Sequence, residues 1–242
     1  MKVLISPISL EEATSIADAG VDIIDIKNVD EGSLGAQFPW ITAEVVAFIS
    51  RHGAIASATL GDLPYKPGTA ALAALGAAHC GVGYIKAGLY GLNTYAQALD
   101  MMDPIRQAVR MVSNDAKVVA AGYADYRRFD GLNTTDLVRA AKESHCDVVM
   151  LDTAIKDGKT IFDAMALNEI KDFVGMAKEM NLFVALAGSI KVDHIDTLQS
   201  IRPEIIGLRG AVCDGPDRRS RISVEKTKSF LRLVRDGAAI AS

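Results

Sequence analysis

Short apolar runs rich in Val, Ile, Leu and Ala recur along this chain. They alternate with longer stretches whose apolar positions return every three to four residues. The first pattern is that of strands buried on both faces, the second that of amphipathic helices. Strands are expected at 2–6, 21–27, 54–60, 83–87, 117–121, 147–151, 182–187 and 204–208. Ser9, with Glu12 three residues on, reads as a capping box opening a helix that stops at Gly20. Further helices are expected from a Thr42 cap to about Gly53, from about Thr69 after Pro67-Gly68, and from an Asn93 cap to Ser113. The last of these should break at Asp103-Pro104, where Pro suits a first helical position. Helices at 135–144, from the loop 152–160 to about Asn181, at 192–200, and from a Ser223 cap to about Val234 complete the set.

Eight strands alternating with eight helices, over 242 residues with no linker-like break, point to one domain, 1–242. The expected fold class is α/β, a single (β/α)8 TIM barrel. A doubly wound open sheet would usually carry a G-x-G-x-x-G or P-loop after its first strand, and Ser6-Pro7-Ile8-Ser9 is neither. The connections after the second, fifth and sixth strands are long, whereas those before the third, fifth and seventh are one or two residues. In barrels the elaborated loops that follow strands form the catalytic face.

Charged residues break the apolar runs at that face. Asp25 and Lys27 sit two apart in Asp22-Ile23-Ile24-Asp25-Ile26-Lys27, so both point to one side of the strand. Lys86 ends the fourth strand, and Asp152 and Lys156 end and follow the sixth. Buried charge is costly unless paired or used. Strands two, four and six are alternate strands, which contribute to the same interior layers, so Lys27 and Lys86 should converge over the barrel mouth. The competing reading is an ionic lattice without chemistry. A lysine amine attacks carbonyls when an apolar surround or a second ammonium lowers its pKa. Asp25 opposes that lowering, and Asp25 or Asp152 is suited to relay protons as an imine forms. Gly188 and Ser189 after the seventh strand, with Arg209 and Gly210 after the eighth, form a candidate phosphate site.

Composition narrows the partners. Asp plus Glu outnumber Lys plus Arg by 30 to 26, which argues against a nucleic-acid or membrane partner. Three separated cysteines, Cys80, Cys146 and Cys213, read as reduced thiols of a cytoplasmic protein. The four histidines, His52, His79, His145 and His194, form no ligand cluster, so no metal site is expected. The N-terminus opens on a strand, with no signal-peptide pattern. Residues 67–85 contain no Asp, Glu, Lys or Arg, although an outer barrel helix should show water a polar face. A homo-oligomer through helix 69–80 is therefore expected.

The motifs Asp25-Ile-Lys-Asn, Glu31-Gly-Ser-Leu-Gly-Ala, Ser57-Ala-Thr-Leu-Gly-Asp, Tyr84-Ile-Lys-Ala-Gly-Leu-Tyr-Gly and Ala120-Ala-Gly-Tyr-Ala-Asp resemble those of one family. Met150-Leu-Asp-Thr-Ala-Ile-Lys-Asp-Gly-Lys-Thr, Ala185-Leu-Ala-Gly-Ser-Ile and Gly207-Leu-Arg-Gly-Ala-Val-Cys extend the resemblance over nearly the whole chain. The family is (5-formylfuran-3-yl)methyl phosphate synthase, of methanofuran biosynthesis. The resemblance implies a lyase that joins two glyceraldehyde 3-phosphate molecules with loss of one phosphate and two waters. It implies Lys27 as the Schiff-base lysine, Lys86 as proton acceptor, and Asp25, Asp152 and Lys156 in the same site, with no separate cofactor. From the residues alone, a class I aldolase of triose phosphates and a non-catalytic phosphometabolite-binding barrel stay open.

Overall fold

The computed structural model describes residues 1–215 and 220–240. Its strands are β1 (Lys2–Ile5), β2 (Ile23–Ile26), β3 (Ile55–Asp62), β4 (Tyr84–Gly88), β5 (Lys117–Tyr123), β6 (Val148–Asp152), β7 (Phe183–Leu186) and β8 (Ile205–Leu208). They pair in chain order, every pair parallel, and β8 returns to β1 to close the barrel. Around it, among the described residues, lie α1 (Leu10–Asp18), α2 (Pro39–Ile49), α3 (Pro67–His79), α4 (Tyr95–Arg110), α5 (Thr134–Glu143), α6 (Ile161–Ala164), α7 (Leu167–Glu179), α8 (Ile195–Ile201) and α9 (Val224–Ile240). No described helix is long and apolar enough to cross a membrane.

The strand period of two divides the side chains between two cores. Leu4, Ile23, Tyr84, Met150, Ala185 and Ile205 pack together inside the barrel. Val3, Ile5, Ile24, Ile85, Val149 and Leu186 meet the helices outside. Both faces of each strand are thus covered, which is why the apolar runs are unbroken.

Several boundaries differ from the pattern's expectation. Helix α2 starts at Pro39, and Thr42 is a buried residue inside it rather than its cap. Helix α3 likewise starts on a proline, Pro67, whose missing N–H would have no helical acceptor at that position. The cap of α4 is Thr94, whose hydroxyl accepts from Gln97 N at 3.3 Å, while Asn93 N donates to the Gln97 side chain at 3.2 Å. The break at Asp103-Pro104 does not occur, and α4 runs through Pro104. Burial of Ala98, Met101, Met102, Ile105, Ala108 and Val109 along one face offsets the roughly 3 kcal/mol that an interior proline costs. The stretch after β6 forms two helices, α6 and α7, split where Met165 turns extended. Helix α9 passes the expected end at Val234. Strands β3 and β5 run on to Asp62 and Tyr123, past the last residue of each apolar run.

A buried ion pair stitches the seam where β1 meets β8. Ser9 accepts from Glu12 N at 3.1 Å, as a capping residue should, but the Glu12 carboxylate turns away from the cap. It accepts from Ile8 N at 2.9 Å, from Ile222 N at 3.1 Å, and from both Nη atoms of Arg209 at 2.8 and 3.2 Å. Burial raises the Glu12 pKa, yet the Arg209 and backbone hydrogen bonds outweigh it and hold the carboxyl below its ordinary 4.5. This contribution to stability is therefore full above pH 4.5 and is lost as pH falls through the lower folded value. Replacing Glu12 by Ala removes one half of this buried ion pair and should cost about 3–5 kcal/mol in urea unfolding at neutral pH. The difference from wild type should shrink on acidification, and a loss independent of pH would show that packing alone is responsible.

Candidate active site

Asp25 and Lys86 face each other inside the barrel mouth, 1% and 2% exposed. Lys86 Nζ lies 2.5 Å from Asp25 Oδ1, and Ser6 Oγ donates to the other oxygen at 3.0 Å. The in-register neighbour of Asp25 on β3 is Ser57, small enough to let a β2 side chain reach one from β4. This differs from the sequence reading, in which Asp25 served Lys27. The same face of a strand places Asp25 and Lys27 side by side, but the barrel's inward curvature brings Lys86 into contact first.

A second pair forms at the end of β6. Lys156 Nζ donates to Asp152 Oδ1 at 2.9 Å and to Thr153 O at 2.5 Å, and Thr153 N donates to the same carboxylate oxygen at 2.7 Å. Asp125, buried beyond the end of β5, accepts from Ala154 N at 2.8 Å and Ile155 N at 2.9 Å. It thereby fixes the backbone that carries Lys156. Burial raises Asp25 and Asp152, but the lysines beside them win and hold both carboxyls below the ordinary range.

Lys27 is the lysine of this group with no carboxylate in contact among the described residues. Its Nζ donates to Ser33 O at 3.3 Å. Burial pushes its pKa down to about 8; Asp25 and Asp152 pull it up, and Lys86 and Lys156 push it down further. Desolvation is thus the main cause, with the second ammonium a smaller one. Roughly a tenth of such an amine is uncharged at pH 7, against a few in ten thousand for an ordinary lysine.

The phosphate-loop candidates lie on the wall formed by the ends of β7 and β8. Gly188 has φ +106°, and Ser189 follows at +51°. A Cβ on Gly188 would come within 3.0 Å of Thr153, so the β7 turn packs tightly on the β6 loop. Gly210 opens a short turn after β8. Arg209 lines the same cavity, and its guanidinium also donates to Glu12, Ser6 O and Ser220 O.

One cavity of about 440 Å³ is lined by Asp25, Lys27, Lys86, Asp152, Lys156, Gly188, Ser189, Arg209 and Gly210 together. Ser6, Gly158 and Lys191 join them. Sequence reasoning did not single out these three, nor Asp125. Lys191 had a signal in its place two residues after Ser189, and the buried partners had none. No group of three His, Cys, Asp or Glu among the described residues is placed to hold a metal ion.

A family model described as 4-HFC-P synthase matches residues 3–231. The (5-formylfuran-3-yl)methyl phosphate synthase of Archaeoglobus fulgidus is 49% identical over 234 residues, covering 97% of this chain and 99% of that protein. The protein of the same name from Methanocaldococcus jannaschii is 47% identical, covering 96% and 99%. Among solved structures, KGPDC from Streptococcus mutans superposes with a TM-score of 0.68 at 12% identity, covering 97% of each chain. Deoxyribose phosphate aldolase from Aeropyrum pernix does so at 0.64 and 14%, covering 95% of this chain and 89% of that one. These structures share the barrel at low identity, whereas the family model and the sequence relatives match nearly the whole chain, and the chain belongs to the (5-formylfuran-3-yl)methyl phosphate synthase family.

Proposed function

We propose that the chain makes (5-formylfuran-3-yl)methyl phosphate from two molecules of glyceraldehyde 3-phosphate, in methanofuran biosynthesis, through an imine on Lys27. The observation that carries this reading is Lys27 itself, a desolvated amine without a contacting carboxylate, set between two lysine–carboxylate pairs. The amine adds to the aldehyde carbon of one triose phosphate, and the carbinolamine loses water with Asp25 or Asp152 moving the protons. The imine acidifies the neighbouring C–H. The Lys86–Asp25 pair takes up the carbon's proton as the enamine forms. The electron pair of that enamine then expels phosphate from the adjacent carbon. Joining to the second triose and loss of two waters close the ring, and hydrolysis of the imine, which takes back the water lost in forming it, frees the product and Lys27. The Gly188-Ser189 turn, Gly210 and Lys191 are the groups that meet the substrate phosphate.

Borohydride reduction with glyceraldehyde 3-phosphate, followed by peptide mass mapping, tests the covalent step. The adduct belongs on the Lys27 peptide, Lys27→Ala should form none, and Lys86→Ala should form adduct while losing about 10²-fold or more in turnover. An adduct on Lys86 or Lys156 would sink the assignment. Because the uncharged amine reacts, trapping should rise as pH increases through about 8 and level off above it. Release of inorganic phosphate together with a furan absorbance separates the synthase from a simple aldolase.

The imine does the electrophilic activation that a metal ion supplies in other aldolase-like enzymes. Full activity should therefore survive prolonged chelation. Recovery only on adding a divalent metal would overturn this.

The protein also assembles as a homo-oligomer through α3 in this reading. The helix carries no Asp, Glu, Lys or Arg, and its Leu72 is 73% exposed. Light scattering should show more than one chain per particle at micromolar concentration, and Leu72→Glu should shift it toward monomer. A wild-type monomer would remove the idea.

A further inference from the structure

One buried polar network at the barrel rim has no part in the chemistry above. The Tyr123 hydroxyl, at the end of β5, donates to Asp62 Oδ1, at the end of β3. Between them, β4 ends in Gly88, where a Cβ would lie 2.2 Å from Asp62 Oδ1 and 2.9 Å from the Tyr123 hydroxyl oxygen. The missing side chain on β4 is thus the space that the pair occupies. The other oxygen of Asp62 accepts from Leu34 N at 3.3 Å, and Leu34 is fully buried against the barrel interior.

The residue before Leu34 touches both flanking lysine systems. Ser33 O accepts from Lys27 Nζ at 3.3 Å, while Ser33 Oγ donates to Thr153 O at 3.1 Å. That same Thr153 carbonyl takes Lys156 Nζ at 2.5 Å. Two long, flexible ammonium side chains from different strands are therefore referred to a single loop residue. The loop is tied to the rigid barrel by Asp62. We infer that Asp62 and Tyr123 are positioning residues that latch the β2 loop, so that Ser33 aims Lys27 and Lys156 into the cavity. The inference rests on Lys27 being the reacting amine.

A merely structural latch would affect stability and leave the amine alone. An aiming latch changes what Lys27 does, since misplacement by about 1 Å is enough to cost on the order of 10²-fold in rate. The groups facing Lys27 are Asp25, Asp152, Lys86 and Lys156; Asp62 acts on Asp152 and Lys156 by its charge, so Tyr123→Phe and Gly88→Ala, which keep that charge, decide the Lys27 midpoint. Tyr123→Phe, Asp62→Ala and Gly88→Ala are compared with wild type in three measurements. These are kcat and KM, the pH midpoint of Lys27 labelling by acetic anhydride read by peptide mass, and hydrogen exchange over residues 28–38.

Tyr123→Phe and Asp62→Ala should lower kcat by 10- to 100-fold with KM moved less than threefold. They should quicken exchange in 28–38 alone, and raise the Lys27 midpoint as water enters around the amine. Gly88→Ala, which adds a methyl group where the pair sits, should do the same. Asp62→Asn, which keeps an acceptor for Leu34 N, should retain more activity than Asp62→Ala. Unchanged exchange in 28–38, or faster exchange with kcat and the Lys27 midpoint unmoved, overturns the inference. The labelling needs no substrate, so an adduct on another lysine would defeat the reaction scheme while the Lys27 midpoint still decides whether the latch sets the amine's surroundings.

Discussion

The Lys86–Asp25 contact, 2.5 Å long and almost wholly sealed from water, sets the terms for the rest of the barrel mouth. An isolated charge there would carry a desolvation penalty of several kcal/mol. The pair removes most of that penalty while keeping a proton close to the reaction cavity. It also occupies the one carboxylate that shares a strand face with Lys27. Lys27 is thereby left with long-range attraction to carboxylates and no direct partner. Its pKa of about 8 follows mainly from its own burial, with no contacting carboxylate to offset it. The Lys156–Asp152 pair repeats the arrangement on β6, so the cavity holds two ammonium groups in contact with carboxylates and one, on Lys27, that is not.

Much of this was legible in the chain because charges inside β-branched runs violate the pattern that makes strands. Asp25, Lys27, Lys86 and Asp152 stood out for that reason, and the alternation of elements placed them at one end of a barrel. Who pairs with whom was not legible. Arg209 and Glu12 are 197 residues apart, and only closure of the barrel makes them neighbours. Asp62 and Tyr123 escaped notice because they extend strands beyond the apolar residues by which strands are recognised. Pro104 misled because local propensity is weaker than the packing of a long buried face.

The barrel by itself says little about chemistry. KGPDC from Streptococcus mutans and deoxyribose phosphate aldolase from Aeropyrum pernix superpose on it with low sequence identity, and a common scaffold supports many reactions. The chemistry of this chain lies in the ionisable groups at inward positions of its alternate strands, Asp25, Lys86 and Asp152, and in the space left by Gly88.

The seam between β1 and β8 has a bearing on the protein's synthesis. Cavity residues come from both ends of the chain, Leu4 and Ser6 from one and the segment from Gly207 to Ala211 from the other. Glu12 waits on Arg209 and on the backbone of Ile222 for its partners. Until the last strand is added the barrel cannot close, and Lys27 lacks the full burial that lowers its pKa. A solvated lysine keeps its proton and is a poor nucleophile. On the proposed chemistry, Lys27 becomes a nucleophile only once the barrel has closed.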